Sequence, residues 1–89
     1  MKAIVTVVGK DAVGIIAGVC VELAKHNINV LDISQTVMQG YFTMMMVTDV
    51  SASNLPVAEL AKALEEKGKE MNLSIRLQRE DIFDAMHRV

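Results

Sequence analysis

The sequence predicts an α+β sandwich: one antiparallel four-stranded sheet with two helices on a single face. Three observations predict it. The chain has 89 residues, enough for one domain. Its apolar spacing switches between the strand and helix periods in the order β-α-β-β-α-β. Two right-handed split β-α-β units of that order pack most simply as a ferredoxin-like sandwich.

The elements follow in turn. Residues 3–8 are rich in β-branched types and read as a buried strand. Gly9-Lys10-Asp11-Ala12-Val13-Gly14 reads as the turn that follows. A helix is expected over 14–26, with Ile15, Ile16, Val19, Cys20, Leu23 and Ala24 on its apolar stripe. Asp11 is the expected cap, or stands one turn before it. His26-Asn27 ends the helix. The second strand spans 28–38, with Asn29, Leu31, Ile33, Gln35 and Val37 on one face and Val30, Asp32, Ser34 and Thr36 on the other.

Gln39-Gly40 is a hairpin signal leading into a third strand, 41–50. That strand carries Met44-Met45-Met46, so it is expected to be central and packed on both faces. Pro56 suits the first turn of a second helix, whose buried stripe is Leu60, Ala61, Leu64 and Met71. Gly68 should weaken that helix by about 1 kcal/mol relative to alanine. Leu73, Ile75 and Leu77 alternate with polar residues in a half-exposed fourth strand. The domain is placed at 1–80. A tail at 81–89 follows, with Ile82, Phe83, Met86 and Val89 on one side of a short helix. A helix that short does not hold itself up in water, so it must dock on something, and either it or a second subunit could cover the helix-free face.

Composition narrows the function. The net charge is −2, and Arg76, Arg79 and Arg88 all come late and lie among acids. A nucleic-acid surface needs clustered cations, and RNA reading on this fold needs paired aromatics that Phe42 alone does not supply. No apolar run approaches the roughly 18–20 residues that span a bilayer, and no signal peptide is visible. The lone Cys20 fits a reducing compartment, so a soluble cytoplasmic protein is expected. His26 and His87 lack ligands at metal spacing, so no metal and no cofactor is expected. No nucleophile–base set assembles, and phosphate chemistry in the first loop would need an arginine fork that Lys10 cannot replace. The chain is therefore read as a non-enzyme. Hydrophobic residues make up 52% of it, more than one small core needs, which points to a homo-oligomer.

The first turn is the expected binding site. A strand ending in a glycine-flanked turn leaves backbone N–H groups and the positive helix end open to a small anion or carboxylate. Gly14 is expected either to let a ligand approach the backbone or only to permit close packing of the first helix on the sheet, and Lys10 could meet an anion there.

The element order, with Val8-Gly9-Lys10-Asp11-Ala12-Val13-Gly14-Ile15 and Asn27-Ile28-Asn29-Val30-Leu31-Asp32-Ile33, resembles the ACT domain. The resemblance covers residues 3–80 and is closest to stand-alone single-domain members, including the ending Gln78–Met86. It implies a module that binds amino acids or related metabolites between subunits paired edge to edge. It carries ligand contacts onto the turn (Lys10, Asp11, Val13, Gly14 and Ile15) and onto Asn29 at the start of strand 2. Val13 stands where the family usually has proline, and Asp11 adds a charge that repels a carboxylate and attracts an ammonium. The alternative is a ligand-free interaction module that regulates a partner enzyme or transcription factor, since a stand-alone module has no fused catalytic domain to control.

Overall fold

The computed structural model describes residues 1–86. His87, Arg88 and Val89 lie outside the described residues, and with them the expectations for His87 in the tail, for Arg88 and for Val89 on the tail's apolar side. The elements are β1 (Lys2–Lys10), α1 (Ile15–Lys25), β2 (Asn29–Met38), β3 (Tyr41–Asp49), α2 (Val57–Glu70), β4 (Leu73–Arg79) and α3 (Glu80–Met86). The sheet order is β2-β3-β1-β4, and every neighbouring pair is antiparallel. This is the ferredoxin-like arrangement, with α3 added.

The pleat sorts the side chains. Ala3, Val5 and Val7 of β1 stand beside Thr48, Met46 and Met44 of β3 on the helix-covered face, and all six are fully buried. Val19 and Leu23 of α1 and Leu60 and Leu64 of α2 close the core over them. The Thr48 hydroxyl donates to the Ala3 carbonyl at 2.9 Å, so the buried polar group in this layer is satisfied. Met45, between two buried methionines, points to the opposite face and is half-exposed. The packing of β3 on both faces is therefore partial.

β1 runs two residues further than its composition suggests. Gln39 and Gly40 both take positive φ (52° and 81°), which makes the β2–β3 hairpin as tight as a two-residue loop allows. β3 therefore starts at Tyr41, and Gly9 and Lys10 find partners in Phe42 and Tyr41. Gly9 belongs to the strand rather than the turn; a Cβ there would lie 2.4 Å from Leu73 Cδ2.

β2 departs from strict alternation. A bulge between Val30 and Asp32 places Val30 on the same side as Ile33, Gln35 and Val37, facing the helix layer, not with Asp32, Ser34 and Thr36. β2 is an edge strand, and α1 does not cover it. Ile33 stays 44% exposed and Val37 55%.

α2 buries Leu60, Leu64 and Gly68; Ala61 and Met71 are half-buried. Gly68 is a packing residue here, because a Cβ would meet the Leu73 carbonyl oxygen at 2.7 Å. At the far end of α1, His26 Nε2 lies 2.9 Å from Glu22 Oε2 and Nδ1 lies 3.1 Å from Asn54 Oδ1. The Asn54 side-chain amide also donates to the Lys25 carbonyl, so this cluster ties the end of α1 to the loop before α2.

The tail docks on the helix-free face. Arg79 pairs with Asp81 at 2.7 Å where β4 becomes α3. Phe83 walls a concavity together with Ile4, Met45 and Val47, and the Gln78 amide reaches Met86 Sδ at 3.6 Å. Ile4 is thereby only 7% exposed, while Ile82 and Met86 remain open. Phe83→Ala should lower stability by about 1 kcal/mol, less than for a full core aromatic because Phe83 is half-buried. In thermal denaturation that is roughly 4–8 °C. An unchanged midpoint would mean that the tail adds nothing to the fold. Among the described residues no helix is long and apolar enough to cross a membrane.

Candidate functional site

The turn between β1 and α1 is built around Gly14. Its φ of 89° is left-handed, where an L side chain is strained, and no atom would obstruct a Cβ there. Gly14 occupies the cap position of α1, and no side chain caps the helix. Of the two positions expected for Asp11, the cap is thereby corrected and the place one turn before it holds. The Asp11 backbone N–H donates to the Gly40 carbonyl at 2.8 Å, which ties the turn to the hairpin, and its side chain is exposed.

With no side-chain cap, the first turn of α1 keeps its donors. The helix ladder begins where Gly18 N–H donates to the Gly14 carbonyl at 2.9 Å. The N–H groups of Ile15, Ile16 and Ala17 fall before that ladder, at the positive end of the helix dipole. They lie at a shallow concavity of about 260 Å³, walled by Asp11, Ala12, Gly14 and the first turn on one side and by Phe42 on the other. Asp11 therefore lines the same concavity as the three residues whose N–H groups precede the ladder.

The other expected site residues divide. Ile15 is buried and forms the floor. Val13 is fully exposed at the tip of the turn. Lys10 pairs with Tyr41 on the sheet face opposite to Phe42, so it is not part of this wall. Asn29 begins β2 at the other end of α1, a helix of 11 residues and about 16 Å. Within one protomer it is remote from Gly14. Its sheet neighbour is Asp49, whose carboxyl is held below its usual range by the Ser51 hydroxyl and then by the Ser51 backbone N–H at 2.9 Å. Ala12, Ile16, Ala17 and Phe42 also line the concavity and were not anticipated. The signal for Phe42 was its place just after the hairpin, where alternation turns it toward the helices. His26 spends both ring nitrogens on Glu22 and Asn54. Among the described residues no three His, Cys, Asp or Glu side chains gather as a metal set.

A four-stranded sheet of this order beneath two helices, with an uncapped backbone corner at the head of α1, defines a small module of the ferredoxin-like class. Comparison with known proteins supplies the family: the ACT domain model matches residues 2–78, and the chain belongs to the ACT domain family, whose members are generally regulatory modules that bind small molecules. A UPF0237 protein of Clostridium acetobutylicum is 57% identical over all of both chains. An ACT domain protein from Streptococcus pneumoniae is 46% identical, superposes with a TM-score of 0.84, and matches over 98% of each chain. The regulatory subunit of aspartate kinase from Thermus thermophilus is 26% identical with a TM-score of 0.67, over 86% of this chain and 50% of its own.

Proposed function

We propose that the protein is a regulatory module that binds an amino acid or a related zwitterionic metabolite at the seam of a homodimer joined along β2. The observation that carries this reading is the state of β2. It is a ten-residue edge strand with an unpaired backbone row, and Leu31, Ile33, Val37 and Met38 are exposed along it. Long apolar edges invite pairing with a second chain.

Antiparallel pairing of two β2 strands brings the Asn29 end of one beside the Met38 end of the other. Met38 and Val37 stand next to Tyr41 and Phe42, hence next to the α1 concavity. The dimer thus supports a site that the protomer does not form: Asp11, Gly14 and the first turn from one copy, and Asn29 of the partner subunit. A ligand carboxylate would take the N–H groups of Ile15 to Ala17, and its ammonium would take Asp11. The seam excludes water, which strengthens both contacts.

A thermal-shift series over the twenty amino acids tests the reading. A ligand at 100 times its Kd should add about 2.7 kcal/mol, roughly 10–20 °C for a domain of this size. Gly14→Val should remove the response and leave the dimer. Asp11→Ala should weaken the response; unchanged affinity would take Asp11 out of the site. If no amino acid or keto-acid relative moves the midpoint, the metabolite role fails.

A further inference from the structure

A concavity larger than that of the β1–α1 turn is a groove of about 450 Å³ along the outer edge of β4, between that strand and α2. Ala61, Ile75 and Leu77 form its floor, and Glu65 and Lys69 overhang it from the helix. β4 is the second edge of the sheet, so every other residue of its seven turns N–H and C=O outward into this groove. A row of alternating backbone donors and acceptors is matched best by another extended main chain.

We propose that this groove is a strand-addition site for an extended segment of a partner protein with alternating apolar and acidic side chains. The side chains of β4 set that pattern. On the helix side an incoming strand would lie beside Leu73, Ile75 and Leu77, and the small Ala61 leaves room there for aliphatic groups. On the other side it would lie beside Ser74, Arg76 and Gln78. The Arg76 guanidinium has no ion pair or hydrogen bond to any described residue, whereas Arg79 is held by Asp81 and Lys69 lies 3.9 Å from Glu65. The unanswered charge of the groove is therefore positive.

A second copy of this chain is a poor occupant. Arg76 is the middle residue of β4, so symmetric antiparallel pairing of two β4 strands puts Arg76 opposite the partner's Arg76, and directly opposed like charges destabilise a sheet. β2 has no such bar. The two edges thus take different partners, and this inference does not depend on the metabolite seam.

The test is an amide-resolved NMR titration of the whole protein with two probes, the acetylated amides Thr-Val-Glu-Val-Glu-Val-Thr and Thr-Val-Lys-Val-Lys-Val-Thr. Saturable shifts are expected on residues 73–79 and at Ala61 and Glu65. The glutamate peptide should bind about two- to fivefold more tightly, the range of one cross-strand charge pair. Arg76→Glu should invert that preference, and Ala61→Trp should fill the groove and abolish binding with the circular dichroism unchanged. Shifts confined to β2 or absent, or the same peptide preference in Arg76→Glu, would overturn the proposal. So would slow hydrogen exchange of outward β4 amides in the free protein, which would show the edge already paired with a copy.

Discussion

Gly68→Ala is expected to lower stability by about 1–2 kcal/mol, although alanine is the better helix former by about 1 kcal/mol. Gly18→Ala, at the other interior helical glycine, is expected to be neutral or to stabilise by up to about 1 kcal/mol. Both glycines lie inside helices, so the propensity gain is the same. What differs is the atom that a new methyl meets. At Gly18 it meets the end of the Met71 side chain, Cε at 2.5 Å and Sδ at 3.0 Å. A thioether with three rotatable bonds swings away at little cost. At Gly68 it meets the Leu73 carbonyl oxygen at 2.7 Å and the Ile75 backbone N at 3.2 Å. Those atoms belong to β4 and cannot move without shifting α2 off the strand. Overpacking of that kind typically costs about 1–3 kcal/mol, which outweighs the propensity gain. Urea denaturation of the two variants against the parent checks the sign. Equal changes would mean that α2 does not rest on β4 at the distance described.

That contrast shows what a one-dimensional pattern conveys. The order and identity of the elements follow from periodicity, and so does the helix stripe of Val19 and Leu23, because burial repeats at a fixed spacing. The face assignment of β2 fails at Leu31 because one inserted residue reverses every side chain on one side of the bulge. The end of β1 is misplaced because its length is decided by the hairpin across the sheet, not by its own composition. Gly68 reads as a weak helix position until β4 is laid against it. At the site, Gly14 is legible because the turn demands a residue that tolerates positive φ. Asp11 reads equally well as a cap, and only the backbone geometry separates the two roles. Phe42 comes from a different strand, so no local pattern connects it to Gly14. Asn29 lies at the far end of α1 from Gly14, so only the proposed pairing of two copies would join them.

The β2 seam makes the second large prediction. Ile33→Lys should convert a micromolar dimer to monomer in sedimentation and should abolish any amino-acid-induced rise in melting midpoint. Ile33 is already 44% exposed in the protomer, so the substitution should change protomer stability by no more than about 0.5 kcal/mol. In a two-fold seam each copy contributes the new lysine, and two like charges enter one interface. Leaving a charge buried and unpaired typically costs about 3–5 kcal/mol, enough to raise a dimer Kd by two orders of magnitude or more. Ligand response should disappear with the dimer although Asp11 and Gly14 are untouched, because Asn29 of the partner subunit is then missing. Val21→Lys is the matched control. Val21 is an exposed valine on the side of α1 turned away from Val19 and the core, so the same charge there should leave both dimer and response intact. An Ile33→Lys protein that stays dimeric would move the seam elsewhere. One that is monomeric yet still responds would show that the turn binds its ligand within a single chain.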